Sequence, residues 1–206
     1  MQNRTGLVHL YTGNGKAKTT ASLGLAFRAV GHGHKVLMIQ FLKGGGYTGE
    51  FVAASKFLPL LRIVQFGKGC IKSSKQLGIK QFVNGSSGEF TVKDTTDCGD
   101  CRFCFTIDKD DKSAAKKAIR TVEKTAKDDD YDMIILDEIT HAINNKLVDI
   151  EDVLDIIKNR APSIELVLTG RTAPKELIEA ADLVSEINDV KHYHSKGVVA
   201  RPGVEY

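Results

Sequence analysis

The stretch Thr12-Gly13-Asn14-Gly15-Lys16-Ala17-Lys18-Thr19-Thr20 restricts this chain more than any other. It lies between two apolar runs, Leu7-Val8-His9-Leu10-Tyr11 and Ala21 to Val30. A strand, a glycine turn and a helix, in that order, are the setting of a phosphate-binding loop. Glycines let consecutive backbone N–H groups turn inward toward an anion. A helix opening near Lys18 aims its unpaired N–H groups and positive end at the same point. Lys18 then supplies a full charge, and the Thr19 hydroxyl a ligand for magnesium. The match to G-x-x-x-x-G-K-[ST] is partial, because Thr12 and Ala17 take its two glycine positions. Gly13 and Gly15 are displaced inward, and Lys16 adds a second cation. A plain glycine turn with solvated lysines would use the same residues; the flanking elements favour phosphate.

A second signal pairs with the first. Tyr131-Asp132-Met133-Ile134-Ile135-Leu136-Asp137-Glu138 reads as a strand that ends in two carboxylates. Rigid β structure holding an acid beside a phosphate loop is the Walker B arrangement. Its plainer alternative is an acidic strand end that caps a helix.

Between these motifs the pattern alternates strand and helix, which predicts an α/β fold with a mostly parallel sheet. Ala21 to Val30 is apolar on almost every side, which predicts a helix buried against the sheet and ended by Gly31 and Gly33. His32 and His34 fall in that turn. Lys35 to Phe41 is a continuous apolar strand, as in a sheet covered on both faces. The glycine-rich run Lys43 to Gly49 follows it, either as a lid at the ligand edge or as a plain linker. A helix over Phe51–Leu58 stops at Pro59, and Leu61–Phe66 is a third strand. Helical spacing returns with Ala115, Ala118, Ile119, Val122 and Ala126. A helix over Ile150–Lys158 is expected to be capped by Asp149. Ile164 to Arg171 is a strand with Arg171 at its tip, either a solvated charge or a group within reach of phosphate. A helix starting at Thr172-Ala173-Pro174 and a short strand, Leu183–Ile187, complete the set. His192 and His194 in the tail form a His-x-His, usually incidental but capable of metal binding.

The 206 residues suffice for one α/β domain, expected to span 1–206. A net charge of +3 is too small to argue for a nucleic-acid or membrane partner. No apolar run is long enough to span a bilayer. Met1-Gln2-Asn3-Arg4 leads straight into the first strand without signal-peptide character, so a reducing cytoplasm is expected.

Periodicity vanishes over residues 67–111, which are rich in Gly, Ser, Lys and Asp and hold all four cysteines. A stretch of that length predicts an inserted loop or subdomain. Cys98-x-x-Cys101-x-x-Cys104, with Cys70 upstream, suits one [4Fe–4S] cluster. Zinc is the alternative metal, and free thiols the third reading.

Taken together, several ordered blocks resemble the P-loop family of ATP:corrinoid adenosyltransferases. They are Thr12 to Thr20, Arg28 to Gly33, Gln40-Phe41-Leu42-Lys43-Gly44, Leu136-Asp137-Glu138-Ile139-Thr140 and Thr169-Gly170-Arg171. Val190-Lys191-His192, Gly197-Val198 and Gly203-Val204-Glu205-Tyr206 belong to the same set. The resemblance implies a RecA-like P-loop NTPase fold. It also implies transfer of the 5′-deoxyadenosyl group of ATP to the Co(I) of a reduced corrinoid, with triphosphate leaving. Thr12 to Thr20 would hold the triphosphate, with Arg171 nearby. Thr19, Glu138 and the adjacent Asp137 would hold Mg²⁺. An electron donor such as a flavoprotein and a homodimer are further implications. The helical N-terminal extension of bacterial members, which covers the corrinoid, has no counterpart in these residues, and the resemblance leaves open how the cobalt is shielded. Two other classes remain: a P-loop kinase or ATPase cleaving at the γ-phosphate, and a cluster-bearing nucleotide-binding module without turnover.

Overall fold

The computed structural model describes residues 5–44, 48–69, 106–128, 130–201 and 203–206. The four cysteines and most of the 67–111 insertion lie outside the described residues, as do positions 45–47 of the glycine-rich run.

Among the described residues six strands make one sheet: β1 Val8–Thr12, β2 Val36–Phe41, β3 Leu61–Phe66, β4 Met133–Asp137, β5 Glu165–Thr169 and β6 Leu183–Glu186. Their order is β3-β2-β4-β5-β1-β6, and every pairing is parallel. All six carboxyl ends therefore share one edge, where an open α/β sheet binds its ligand. The α/β fold of the P-loop NTPase kind expected from the sequence is present.

Among the described residues six α-helices flank the sheet: α1 Lys18–Gly31, α2 Gly49–Phe57, α3 Lys109–Thr125, α4 Ile139–Asn144, α5 Ile150–Asn159 and α6 Lys175–Ala180. On one face, Ala26 and Ala29 of α1 and Phe51 and Ala54 of α2 pack on Met38, Ile63, Ile135 and Val167. On the other, Ala118 and Val122 of α3, Val153 of α5 and Leu177 of α6 pack on Leu10, Ile39, Leu136 and Leu168. Both faces of β2 and β4 are buried, which is why those strands are apolar without alternation.

Three local expectations change. Helix α1 is not buried all round: Ser22, Ala26 and Ala29 face inward, whereas Phe27 is 67% exposed. Small residues let this helix lie close to the sheet, with Leu23, Leu25 and Val30 half-buried against the same core and Phe27 left outside. Asp149 occupies the position before α5, but its side chain makes no capping hydrogen bond. Helix α3 begins at Lys109, inside the stretch read as aperiodic, because Asp108 and Asp111 form a reciprocal capping box. That box also marks the root of the insertion. Lys68, just after β3, donates to the Thr106 carbonyl at 2.6 Å and pairs with Asp108 at 2.5 Å and Asp111 at 3.1 Å.

Candidate active site

The loop after β1 turns on Gly13, whose φ of +99° suits a residue without a side chain. Space matters as much as torsion here. A Cβ at Gly13 would stand 2.4 Å from the Ile187 carbonyl oxygen, and one at Gly15 2.7 Å from the same atom. The loop thus lies against the chain leaving β6, and the Gly15 N–H donates to the Ile187 carbonyl at 2.7 Å.

Ala17 precedes α1 with φ +95° and ψ +3°, a left-handed conformation that costs a Cβ-bearing residue about 1–2 kcal/mol. Ala17→Gly removes that strain but adds freedom to the unfolded chain worth roughly 0.4–1 kcal/mol. The expected net gain is therefore between zero and ~1.6 kcal/mol, seen as a small rise in the thermal midpoint.

Lys18 is buried to 6% exposure and folds back over the loop. Its ammonium donates to the Gly13 carbonyl at 2.8 Å and the Gly15 carbonyl at 2.6 Å. Burial holds its pKa below the ordinary lysine value against the pull of Glu138, and Arg171 lowers it further. A desolvated cation of this kind gains strongly from an incoming anion.

Asp137, at the end of β4, is fully buried. Its Oδ1 accepts from the Thr19 and Thr169 hydroxyls, each at 2.8 Å. Its Oδ2 accepts from the Lys43 ammonium at 2.8 Å and the Gln40 amide at 3.1 Å. Gln40 in turn accepts from Gln65 at 2.9 Å and donates to Glu50 at 3.1 Å. Burial pulls the Lys43 amine down, but the charge and hydrogen bond of Asp137 more than offset this and leave it above the ordinary lysine value. Four donors saturate this carboxylate. Asp137 does not line the pocket; it fixes the Thr19 hydroxyl through a bond that leaves the Thr19 oxygen lone pairs for a cation.

Glu138 is different. The chain turns left-handed there, at φ +62°, before α4, and the side chain lines the pocket. Burial, and then the charge of Asp137, raise its pKa above the ordinary carboxylate value. The sign of the linkage follows. A raised carboxylate pKa carries no penalty below pH ~4.5, and the penalty grows as pH climbs through the folded value. Glu138→Gln is therefore expected to raise the thermal midpoint at neutral pH by ~2–4 °C, with the gain vanishing near pH 4. Thermal melts across pH check this.

These groups surround a pocket of about 730 Å³ at the carboxyl edge of the sheet. Asn14, Gly15, Lys16, Ala17, Lys18, Thr19, Thr20, Glu138 and Arg171 line it, so most of the residues expected from the sequence meet there. Thr12 does not; its hydroxyl accepts from the Ala173 N–H at 3.1 Å. Lys43, Glu50, Asp189, Glu205 and Tyr206 also line the pocket and were not singled out as site residues from sequence. His192 lines it as well, away from the metal role considered for it. The His-x-His pair forms no metal cluster: among the described residues, no group of three or more His, Cys, Asp or Glu could hold an ion. No described helix is long and apolar enough to cross a membrane.

Comparison with known proteins gives this geometry a context. The corrinoid adenosyltransferase of Escherichia coli K12 is 32% identical over all of this chain and 88% of its own length. That of Sinorhizobium is 33% identical over 98% of this chain and 80% of its own. Corrinoid adenosyltransferase CobA of Salmonella typhimurium is 30% identical over the whole chain and 88% of its own length. The family profile described as ATP:corrinoid adenosyltransferase BtuR/CobO/CobP matches residues 4–206, so the chain belongs to the ATP:corrinoid adenosyltransferase family.

Proposed function

We propose that this protein transfers the 5′-deoxyadenosyl group of ATP to the cobalt of a reduced corrinoid. The observation that carries the reading is a preformed phosphate loop whose Thr19 hydroxyl is bonded to a buried Asp137, in a chain of this family. The cobalt of the substrate, as Co(I), donates its electron pair to C5′. The C5′–O bond breaks, and the triphosphate leaves with that bond's electrons. No protein nucleophile is required. The chain's work is to place C5′ in line and to neutralise the leaving group.

Lys18 would exchange the Gly13 and Gly15 carbonyls for phosphoryl oxygens, helped by the amides at the start of α1 and by Arg171. Mg²⁺ would be held by the Thr19 oxygen and the Glu138 carboxylate. The donor set fits a hard cation, since both groups face the pocket and the Glu138 charge is poorly solvated. Bound there, the ion supplies positive charge to the departing phosphates. Asp137, itself held by Lys43, orients the Thr19 hydroxyl.

Mixing protein, Mg-ATP and chemically reduced cobalamin tests the proposal. The expected result is a light-sensitive cobalt–carbon bond in the absorption spectrum, with one triphosphate formed per turnover. ADP and phosphate as the products would assign the pocket to a kinase or ATPase instead. Nothing in the site favours that second reading.

Finer points complete the proposal. The chain is read as one domain over 1–206 that acts in the cytoplasm as a homodimer, with a flavoprotein-type donor delivering electrons to the corrinoid. Cys98, Cys101 and Cys104, with Cys70, would bind a [4Fe–4S] cluster, zinc being the alternative; their spacing alone supports this. Iron and sulfide assay of anaerobically purified protein decides it, and four titratable thiols without metal would end the idea.

A further inference from the structure

One wall of the pocket is built by the end of the chain. Asp189, Val204 and Glu205 line it beside the phosphate loop, and all three hold Lys16. The Lys16 N–H donates to the Asp189 carboxylate at 3.0 Å. Its ammonium donates to the Val204 carbonyl at 3.1 Å and stands 3.5 Å from the Glu205 carboxylate. Lys16 is thus engaged by the tail through both its backbone and its side chain.

Glu205 is the centre of that tail. Its carboxylate accepts from the Tyr193 hydroxyl, from the Arg201 N–H at 2.7 Å and from the Arg201 guanidinium at 3.2 Å. The guanidinium also lies 5.0 Å from the centre of the Tyr193 ring. Arg201 and then Tyr193 hold the Glu205 pKa down to about 2, so it stays ionised throughout the physiological range. One carboxylate therefore closes the corner formed by Tyr193, Arg201 and itself, and presents the closed corner to Lys16.

The charges decide the consequence. A triphosphate entering beside Asp189 and Glu205 would be repelled by both if no cation stood between them. An ammonium has three protons. With one on Val204 and another directed at Glu205, Lys16 retains capacity for a phosphoryl oxygen. We infer that Glu205 is a positioning residue: through Lys16 it docks the Tyr193–Arg201–Glu205 corner onto the phosphate loop, so that triphosphate binding and docking of the corner stabilise one another. This rests on the phosphate-loop reading above.

The test uses the full-length protein, Mg²⁺ and inorganic tripolyphosphate. Calorimetry measures affinity, while mass spectrometry follows trypsin nicking at the exposed Lys191 and Lys196. Tripolyphosphate is expected to slow nicking of the wild type several-fold. Glu205→Gln should lose this protection and weaken tripolyphosphate affinity about fivefold, the scale of a partly exposed ion pair. Tyr193→Phe, a milder change, should act in the same direction with the fold intact. Lys16→Met with Glu205→Gln should bind no more weakly than Lys16→Met alone, a non-additivity that general destabilisation of the tail would not produce. Additive losses, or tripolyphosphate that binds without slowing nicking, would overturn the inference and leave the phosphate-loop reading standing. Wild type that binds no tripolyphosphate would remove both.

Discussion

Lys18→Ala is expected to lower kcat/KM for ATP by a factor on the order of 10³ while leaving the protein folded. The ammonium is the most buried cation of the loop lining, and water solvates it poorly. A triphosphate would restore the solvation it lacks, so the interaction is worth more than an exposed lysine could give. Stability should change little, because the amine removed is itself desolvated and the space it leaves beside Gly15 adjoins an open pocket from which water can enter. Equilibrium ATP binding, turnover and a thermal melt on one preparation check all three statements. Retained affinity together with retained turnover would contradict the role given to Lys18.

Asp137→Ala should do the opposite and strike stability first. It removes the acceptor of four donors at once and takes from the Lys43 ammonium its closest carboxylate, leaving Glu50 at 3.8 Å and the more distant charge of Glu138. Breaking one side of a buried ion pair costs about 3–5 kcal/mol. For a chain of this size that lowers the thermal midpoint by on the order of 10 °C. Asp137→Asn, which keeps the shape and one carbonyl oxygen, should fall by less. If the alanine variant melted within a degree or two of the parent, the network around Asp137 would contribute far less than its geometry implies.

The same network explains what could and could not be read from the amino-acid order. Local patterns survive translation into structure. The loop at Thr12 to Thr20 and the carboxylates at Asp137 and Glu138 are each contiguous, and parallel strands bring them to one edge. The partners that complete the site are remote in the chain. Lys43 reaches Asp137 from 94 positions away, and Lys16 meets Val204 across 188. No spacing rule announces such pairs. Helix α4 escaped because its six residues follow the strand directly, with only the left-handed Glu138 as a break. The exposure of Phe27 escaped for another reason: a helix rich in small residues is apolar by composition on every side, so periodicity cannot say which side meets the sheet. The capping box at Asp108 and Asp111 was legible in principle, but it was masked by the low complexity around it.

The tether at Lys68 has a consequence for chain length. It joins the end of β3 to the start of α3, so the two ends of the excursion between them meet at one charged knot. Closing a loop whose ends already coincide depends only weakly on how many residues it contains. Changing the length of that excursion is therefore expected to leave Thr19 and Asp137 in place.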